Sequence, residues 1–221
     1  MCVEKRRKET GGKSVKKFEM VILDFDGTLI EFNLPFDEIR KKLGIEKVFV
    51  LESILEIRDH RKRAQALKIL ESYEIESARK SRAAYYAYEL LKNLENAGVI
   101  KGIVTRNSRK SVEIAARKFG FKLDFVISRE DAKPKPSPEP ILLALDMFGV
   151  KPENAITVGD FIFDLIAGKE AGTKTALILN DKNRGMLESF KSYADYIFDS
   201  LKELAEFLGV AEKSADKPDA G

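Results

Sequence analysis

Six short runs of β-forming residues recur along the chain, with helix-patterned stretches between them. The runs are "VILD" (21–24), "GVIKGIVT" (98–105), "FKLDFVIS" (121–128), "NAITVGD" (154–160), "TKTALIL" (173–179) and "ADYIF" (194–198). Between the second and third, "SRKSVEIAARKFG" carries apolar residues at Val112, Ala115, Ala116 and Phe119 and ends at Gly120. Between the third and fourth, "SPEPILLALDMFG" offers Ser137 as an N-cap and Pro138 as the first helical residue. Strands alternating with helices of this length predict an α/β fold, a Rossmann-like doubly wound parallel sheet covered on both faces. In such sheets functional groups gather at the carboxyl ends of the strands.

The first crossover breaks this rhythm. From Ile45 to Ala97 there are 53 residues without a glycine or proline, which argues for long helices. Residues 32–87 exceed the needs of one crossover and are expected to form a small α-helical cap domain inserted after the first strand. Helical bundling there also offers a dimerisation face. Residues 18–31 and 88–210 are then the α/β core, with "YELLKNLENAG" its first helix. Residues 1–17 hold seven Lys or Arg against two Glu and read as a basic disordered arm; residues 211–221 read as a flexible tail.

Composition removes several function classes. The formal net charge is only +3, so no global field draws the chain to nucleic acid or to membranes. Cys2 is the only cysteine, which excludes an internal disulfide framework and suits a cytoplasmic location. No apolar run reaches the ~18 residues of a membrane span, and neither a signal peptide nor an anchor is expected. His60 is the only histidine and lies in the charged string "RDHRKR", where a solvated surface role is expected. Catalysis by a serine–histidine or cysteine–histidine pair is thereby disfavoured.

What remains is carboxylates, lysine and hydroxyls at strand ends. The first run stops at Asp24, Phe25, Asp26, Gly27 and Thr28. The second ends in Thr105, "AKPKPSP" follows the third, and "VGDFIFD" closes the fourth with Asp160 and Asp164. Two carboxylates two residues apart on an extended chain point the same way. One can attack an electrophile while its neighbour handles the leaving group's proton. Four clustered aspartates carry too much negative charge to stand alone, and hard oxygen donors of this kind suit Mg²⁺. A lysine and a threonine hydroxyl add what a phosphoryl group requires.

At "DFDGTL", "VTRN", "KPSPEP" and "VGDFIFD" the chain resembles the haloacid dehalogenase superfamily of hydrolases, in its phosphoglycolate phosphatase-like branch, over about residues 18–208. The resemblance implies that Asp24 is the nucleophile and Asp26 the general acid and later base. It implies Mg²⁺ held by the Asp24 carboxylate, the Asp26 carbonyl and Asp160, with Asp164 supporting the metal shell. Thr105 would hydrogen-bond the phosphoryl group, and a lysine would neutralise it. Both Lys133 and Lys135 precede a proline; in similar sequences the lysine stands 25 positions before the Gly-Asp motif, which selects Lys135. Arg106, where relatives carry a small or amide residue, is a candidate substrate contact with a surface role as its alternative. In the insert Arg58, Arg61, Arg63, Arg79 and Arg82 are candidates to meet a substrate carboxylate or second phosphate, with a solvated helical face as the expected reading.

The expected activity is Mg²⁺-dependent hydrolysis of a small-molecule phosphomonoester, phosphoglycolate-like or a sugar phosphate, through an aspartyl-phosphate, by a monomer or homodimer. A phosphomutase of the same superfamily is one alternative; a noncatalytic partner-binding module is another. "GGKS" at 11–14 imitates a phosphate-binding loop, yet Arg7 stands where its first glycine belongs and no strand precedes it. The basic arm lacks the aromatics of a nucleic-acid binder.

Overall fold

All four side chains of strand β1 (Met20–Leu23) are fully buried, as a central strand with helices on both faces requires. The computed structural model describes residues 17–31 and 33–211. The expectations for Cys2, the basic arm up to residue 16 and the tail from residue 212 lie outside the described residues.

The other strands are β2 (Ile100–Val104), β3 (Phe125–Ile127), β4 (Ala155–Gly159), β5 (Lys174–Ile178) and β6 (Tyr196–Phe198). They form one parallel sheet in the order β3-β2-β1-β4-β5-β6. The alternation along β1 separates two cores. Val21 and Leu23 join a cluster with helices α4 (Ala87–Asn96), α5 (Arg109–Phe119) and α9 (Leu201–Phe207), while Met20 and Ile22 face α6 (Glu139–Phe148) and α7 (Ile162–Glu170). Leu177 and Phe190, the latter on α8 (Leu187–Phe190), belong to a smaller cluster beside α7. Burial on both faces and pairing with β2 and β4 anchor β1 by packing and hydrogen bonds, so the residues that follow it start from a fixed position in the sheet.

From β1 the chain moves outward through β2 and β3, then returns to lay β4 on the other side of β1. The connections therefore diverge between β1 and β4, and the crevice beyond their carboxyl ends is the usual ligand position in open parallel sheets. Asp24 and Asp160 stand at those two ends, and the Asp24 amide donates to the Val158 carbonyl at 2.8 Å. Position in the topology, not local sequence, brings them together.

Helix α6 starts one residue later than the sequence suggests. Pro138 is its N-cap, and the Ser137 hydroxyl accepts the Glu139 amide at 3.3 Å. Between β1 and β2 the glycine- and proline-free stretch contains only one long helix, α3 (His60–Lys80), after α1 (Phe36–Leu43) and α2 (Val50–Leu55). Side-chain capping explains one break: Asp59 accepts the amides of Arg61 and Lys62 at 2.8 and 3.1 Å and so starts α3. Tyr86, in the left-handed region at φ 67°, turns the chain into α4.

Helices α1 to α3 bury their own apolar cluster, with Ile39, Val50, Ile54 and Leu70 inside it. Helix α3 also reaches the sheet layer. Glu74, only 2% exposed, pairs with Arg129 just after β3 and accepts the Ser108 amide at 3.0 Å. Truncating one member of a buried pair strands the other charge without a partner. Glu74→Ala is expected to cost about 3–5 kcal/mol in urea unfolding; a loss under about 1 kcal/mol would contradict this view of the pair.

Candidate active site

Behind Asp24 the chain must turn sharply while a second carboxylate is kept in place. Gly27 does this at φ 87°, and a Cβ there would lie 2.2 Å from Asp160 Oδ2. Glycine is required twice over, by backbone angle and by the closeness of Asp160. Gly159 plays the matching part on β4, since a Cβ at that position would sit 2.3 Å from the Asp164 carboxylate. Asp164 opens α7, with Oδ2 accepting the Phe161 amide at 3.0 Å.

Lys135 is buried to 1% and its ammonium is shared by three oxygens. It donates to Asp24 Oδ1 and to the Val104 carbonyl, each at 2.6 Å, and pairs with Asp164 Oδ1 at 2.6 Å. Lys133 is exposed. Of the two lysines, then, Lys135 is the one brought to the strand ends. Burial pulls its pKa down, but Asp164 and Asp24 outweigh that pull and hold it above the ordinary lysine value.

The carboxylates respond in the opposite sense. Burial, reinforced by Asp164, raises Asp24 to about 6 although Lys135 opposes the shift. Burial raises Asp26 to about 7, against a lowering hydrogen bond from Asn107. Asp160 is also raised well above its usual range, first by burial and then by Asp24. Near neutral pH Asp26 is therefore partly protonated, the state a proton donor needs.

Below pH 3.8 both folded and unfolded chains carry these protons; above it the unfolded chain loses them first. Stability contributed by Asp24 and Asp26 is thus fully present below pH 3.8 and declines as pH rises through about 6 and about 7. Metal-free protein is expected to melt at a higher temperature at pH 5 than at pH 8. The reverse order in a thermal scan with chelator would refute the burial account.

Asp24, Asp160 and Asp164 each offer an oxygen, and these oxygens lie within 4.8 Å of one another. Three hard, partly desolvated oxygen donors fit a small divalent cation such as Mg²⁺. Asp164 contributes less freely than the others, because both of its oxygens already have partners.

Thr105 is buried beyond β2, its amide donating to Ile127 at 2.9 Å and its hydroxyl accepting the Asn107 amide at 3.1 Å. Arg106 is drawn away from solvent by Glu52 of α2 at 2.6 Å, by the Lys135 carbonyl and by the Phe163 ring, 4.8 Å from its guanidinium. Of the remaining arginines considered, Arg58, Arg61, Arg79 and Arg82 are exposed and Arg63 bonds His60 at 2.7 Å.

Three asparagines join the site without having been foreseen. Asn107 donates to Asp26 Oδ2 at 2.6 Å, Asn180 to Asp160 Oδ2 at 2.8 Å, and Asn183 to the Asp160 carbonyl at 2.7 Å. Asn107 sits within "VTRN" and was legible as a strand-end amide. "NDKN" after β5 resembles any polar turn, so only the sheet order reveals that it adjoins β4.

Comparison with known proteins agrees with this arrangement. A family model described as haloacid dehalogenase-like hydrolase matches residues 21–178. An uncharacterized hydrolase of Saccharomyces cerevisiae is 27% identical over 208 residues, covering 90% of this chain and 94% of its own. Pyrophosphatase PpaX of Bacillus velezensis is 39% identical over 127 residues, which span 56% of this chain and 58% of the enzyme. Among solved structures, an HAD phosphatase from Thermococcus onnurineus superposes with a TM-score of 0.64 at 26% identity, covering 88% of this chain and all of its own. A parallel sheet that gathers aspartates at its β1/β4 divergence, matched by a family model across most of its length, makes this chain a member of the haloacid dehalogenase-like hydrolases.

Proposed function

We propose that this protein is a Mg²⁺-dependent phosphatase acting on a small phosphomonoester through an aspartyl-phosphate at Asp24. The observation that carries the reading is the placement of Asp24 and Asp26 together, one carboxylate bonded to the buried Lys135 ammonium and grouped with Asp160 and Asp164, its neighbour held by Asn107. The phosphatases among its relatives support it.

In this mechanism an Asp24 oxygen attacks phosphorus and the bond to the leaving oxygen breaks, while Asp26 gives its proton to that oxygen. Asp26, now ionised, takes a proton from a water molecule that attacks the aspartyl-phosphate. Phosphate leaves and Asp24 is restored. Lys135 keeps Asp24 oriented and offsets charge on the phosphoryl oxygens, and the Thr105 hydroxyl donates to one of them. Asn107 holds Asp26 in line. Asp24, Asp160, Asp164 and the Asp26 carbonyl are the groups that would hold Mg²⁺, which when bound neutralises the phosphoryl group's negative charge. Helices α1 to α3 act as a cap that excludes bulk water from the strand ends.

Phosphate release from a panel of esters, with inorganic pyrophosphate included because PpaX bears that activity in its name, tests the proposal. Release that needs Mg²⁺ and favours monoesters is expected. Isomerised sugar phosphate without stoichiometric phosphate would instead identify a mutase.

A further inference from the structure

The polar turn "NDKN" (180–183) follows β5, yet two of its side chains reach back to the end of β4. Asn180 Nδ2 donates to Asp160 Oδ2 at 2.8 Å and to the Gly27 carbonyl at 3.4 Å. Asn183, 2% exposed, donates to the Asp160 and Ile178 carbonyls at 2.7 and 2.8 Å. One loop beyond β5 thus ties the end of β4 to the turn after β1.

The other polar groups of the two side chains fix which way each amide faces. Asn180 Oδ1 accepts the amides of Lys182 and Asn183 at 2.9 and 3.1 Å, and Asn183 Oδ1 accepts the Asn180 amide at 2.9 Å. A carboxamide has one acceptor end and one donor end. With the Asn180 oxygen committed to backbone amides, the end that meets Asp160 is the donor. Asp160 Oδ2 also packs against Gly27, 2.2 Å from where a Cβ there would lie.

The three carboxylates of the cluster are therefore held in two ways. Asp24 and Asp164 share the Lys135 ammonium, which offsets part of their charge. Asp160 is bonded instead by a neutral amide, which directs the carboxylate and leaves its full charge to attract a cation. Hydrogen bonds of this kind orient metal-ligating carboxylates, and losing such a partner costs about 10–100-fold in metal affinity. We infer that Asn180 is the positioning residue of the cation site: it holds Oδ2 of Asp160, so that Oδ1 is the oxygen offered to Mg²⁺ beside Asp24 and Asp164. Asn183 locks Asn180 in that orientation. The choice of Mg²⁺ rests on the phosphatase reading above.

The test titrates Mg²⁺ into wild type, Asn180→Ala and Asn180→Ser at one pH, and reads the rise in melting temperature above each protein's own metal-free value. A ligand that binds only the folded chain stabilises it in proportion to ln(1 + [Mg²⁺]/Kd), so the rise reports affinity. Serine still accepts a backbone amide two residues on, as asparagine does in such turns, but is too short to reach Asp160. Both variants are expected to bind Mg²⁺ about 10-fold or more weakly than wild type. A role confined to anchoring the loop would lower the metal-free melting temperature and leave the Mg²⁺-dependent rise alone, or would weaken binding in Asn180→Ala and not in Asn180→Ser. Either result, or affinities within about twofold of wild type in both variants, would overturn the role of Asn180 while the phosphatase reading stands. A wild type with no Mg²⁺-dependent rise would also overturn it, and if that protein released no phosphate from any ester the phosphatase reading would fall with it.

Discussion

Asp24→Asn is expected to lower phosphate release by ~10⁴-fold or more without unfolding the protein. The amide has nearly the carboxylate's shape but cannot form the acyl-phosphate, so the covalent route closes. Stability should change little, because two effects oppose each other. The variant loses an ionic bond to Lys135 at 2.6 Å, yet it also removes a buried charge whose pKa is raised to about 6 by desolvation and by Asp164. Steady-state phosphate assays alongside thermal unfolding separate these readouts. Turnover within about tenfold of wild type would mean that another group attacks phosphorus.

Lys135→Met should damage both stability and chemistry. It strands Asp24 and Asp164, which share the Lys135 ammonium, as two buried carboxylates facing each other. Breaking a buried ion network in this way costs about 3–5 kcal/mol, and loss of a preorganised charge at the reacting group costs ~10²–10³ in kcat. Lys133→Met supplies the control. Its exposed side chain predicts a change within about 0.5 kcal/mol and unaltered turnover. Urea unfolding and phosphate release on the two variants check both numbers. Equal effects from the two lysines would remove Lys135 from the centre of the account.

The fold was legible because its signals are periodic and local. Each predicted strand run overlaps a strand of the sheet, and the apolar pattern at Val112 and Ala115 marks the buried face of α5. The crossover was harder to divide, because the break before α3 depends on Asp59 accepting two amides and not on glycine or proline. Asp24, Asp26, Asp160, Asp164, Thr105 and Lys135 were readable as strand-end chemistry, and the sheet order brings their ends to one edge. The asparagines at 180 and 183 were not readable, since their partner Asp160 lies some twenty residues back on the neighbouring strand. Arg106 shows the same limit from the other side. Its type suggested substrate contact, while its partner Glu52 is 54 positions away on a helix no local motif ties to the site.

Acid-quenched wild-type protein, mixed with Mg²⁺ and a hydrolysed ester and then digested, tests the central claim most directly. A phosphoryl group is expected on the peptide containing Asp24, labile to hydroxylamine and absent from Asp24→Asn. Continued phosphate release with no phosphoryl group on that peptide, or with the group on a different residue, would contradict the mechanism.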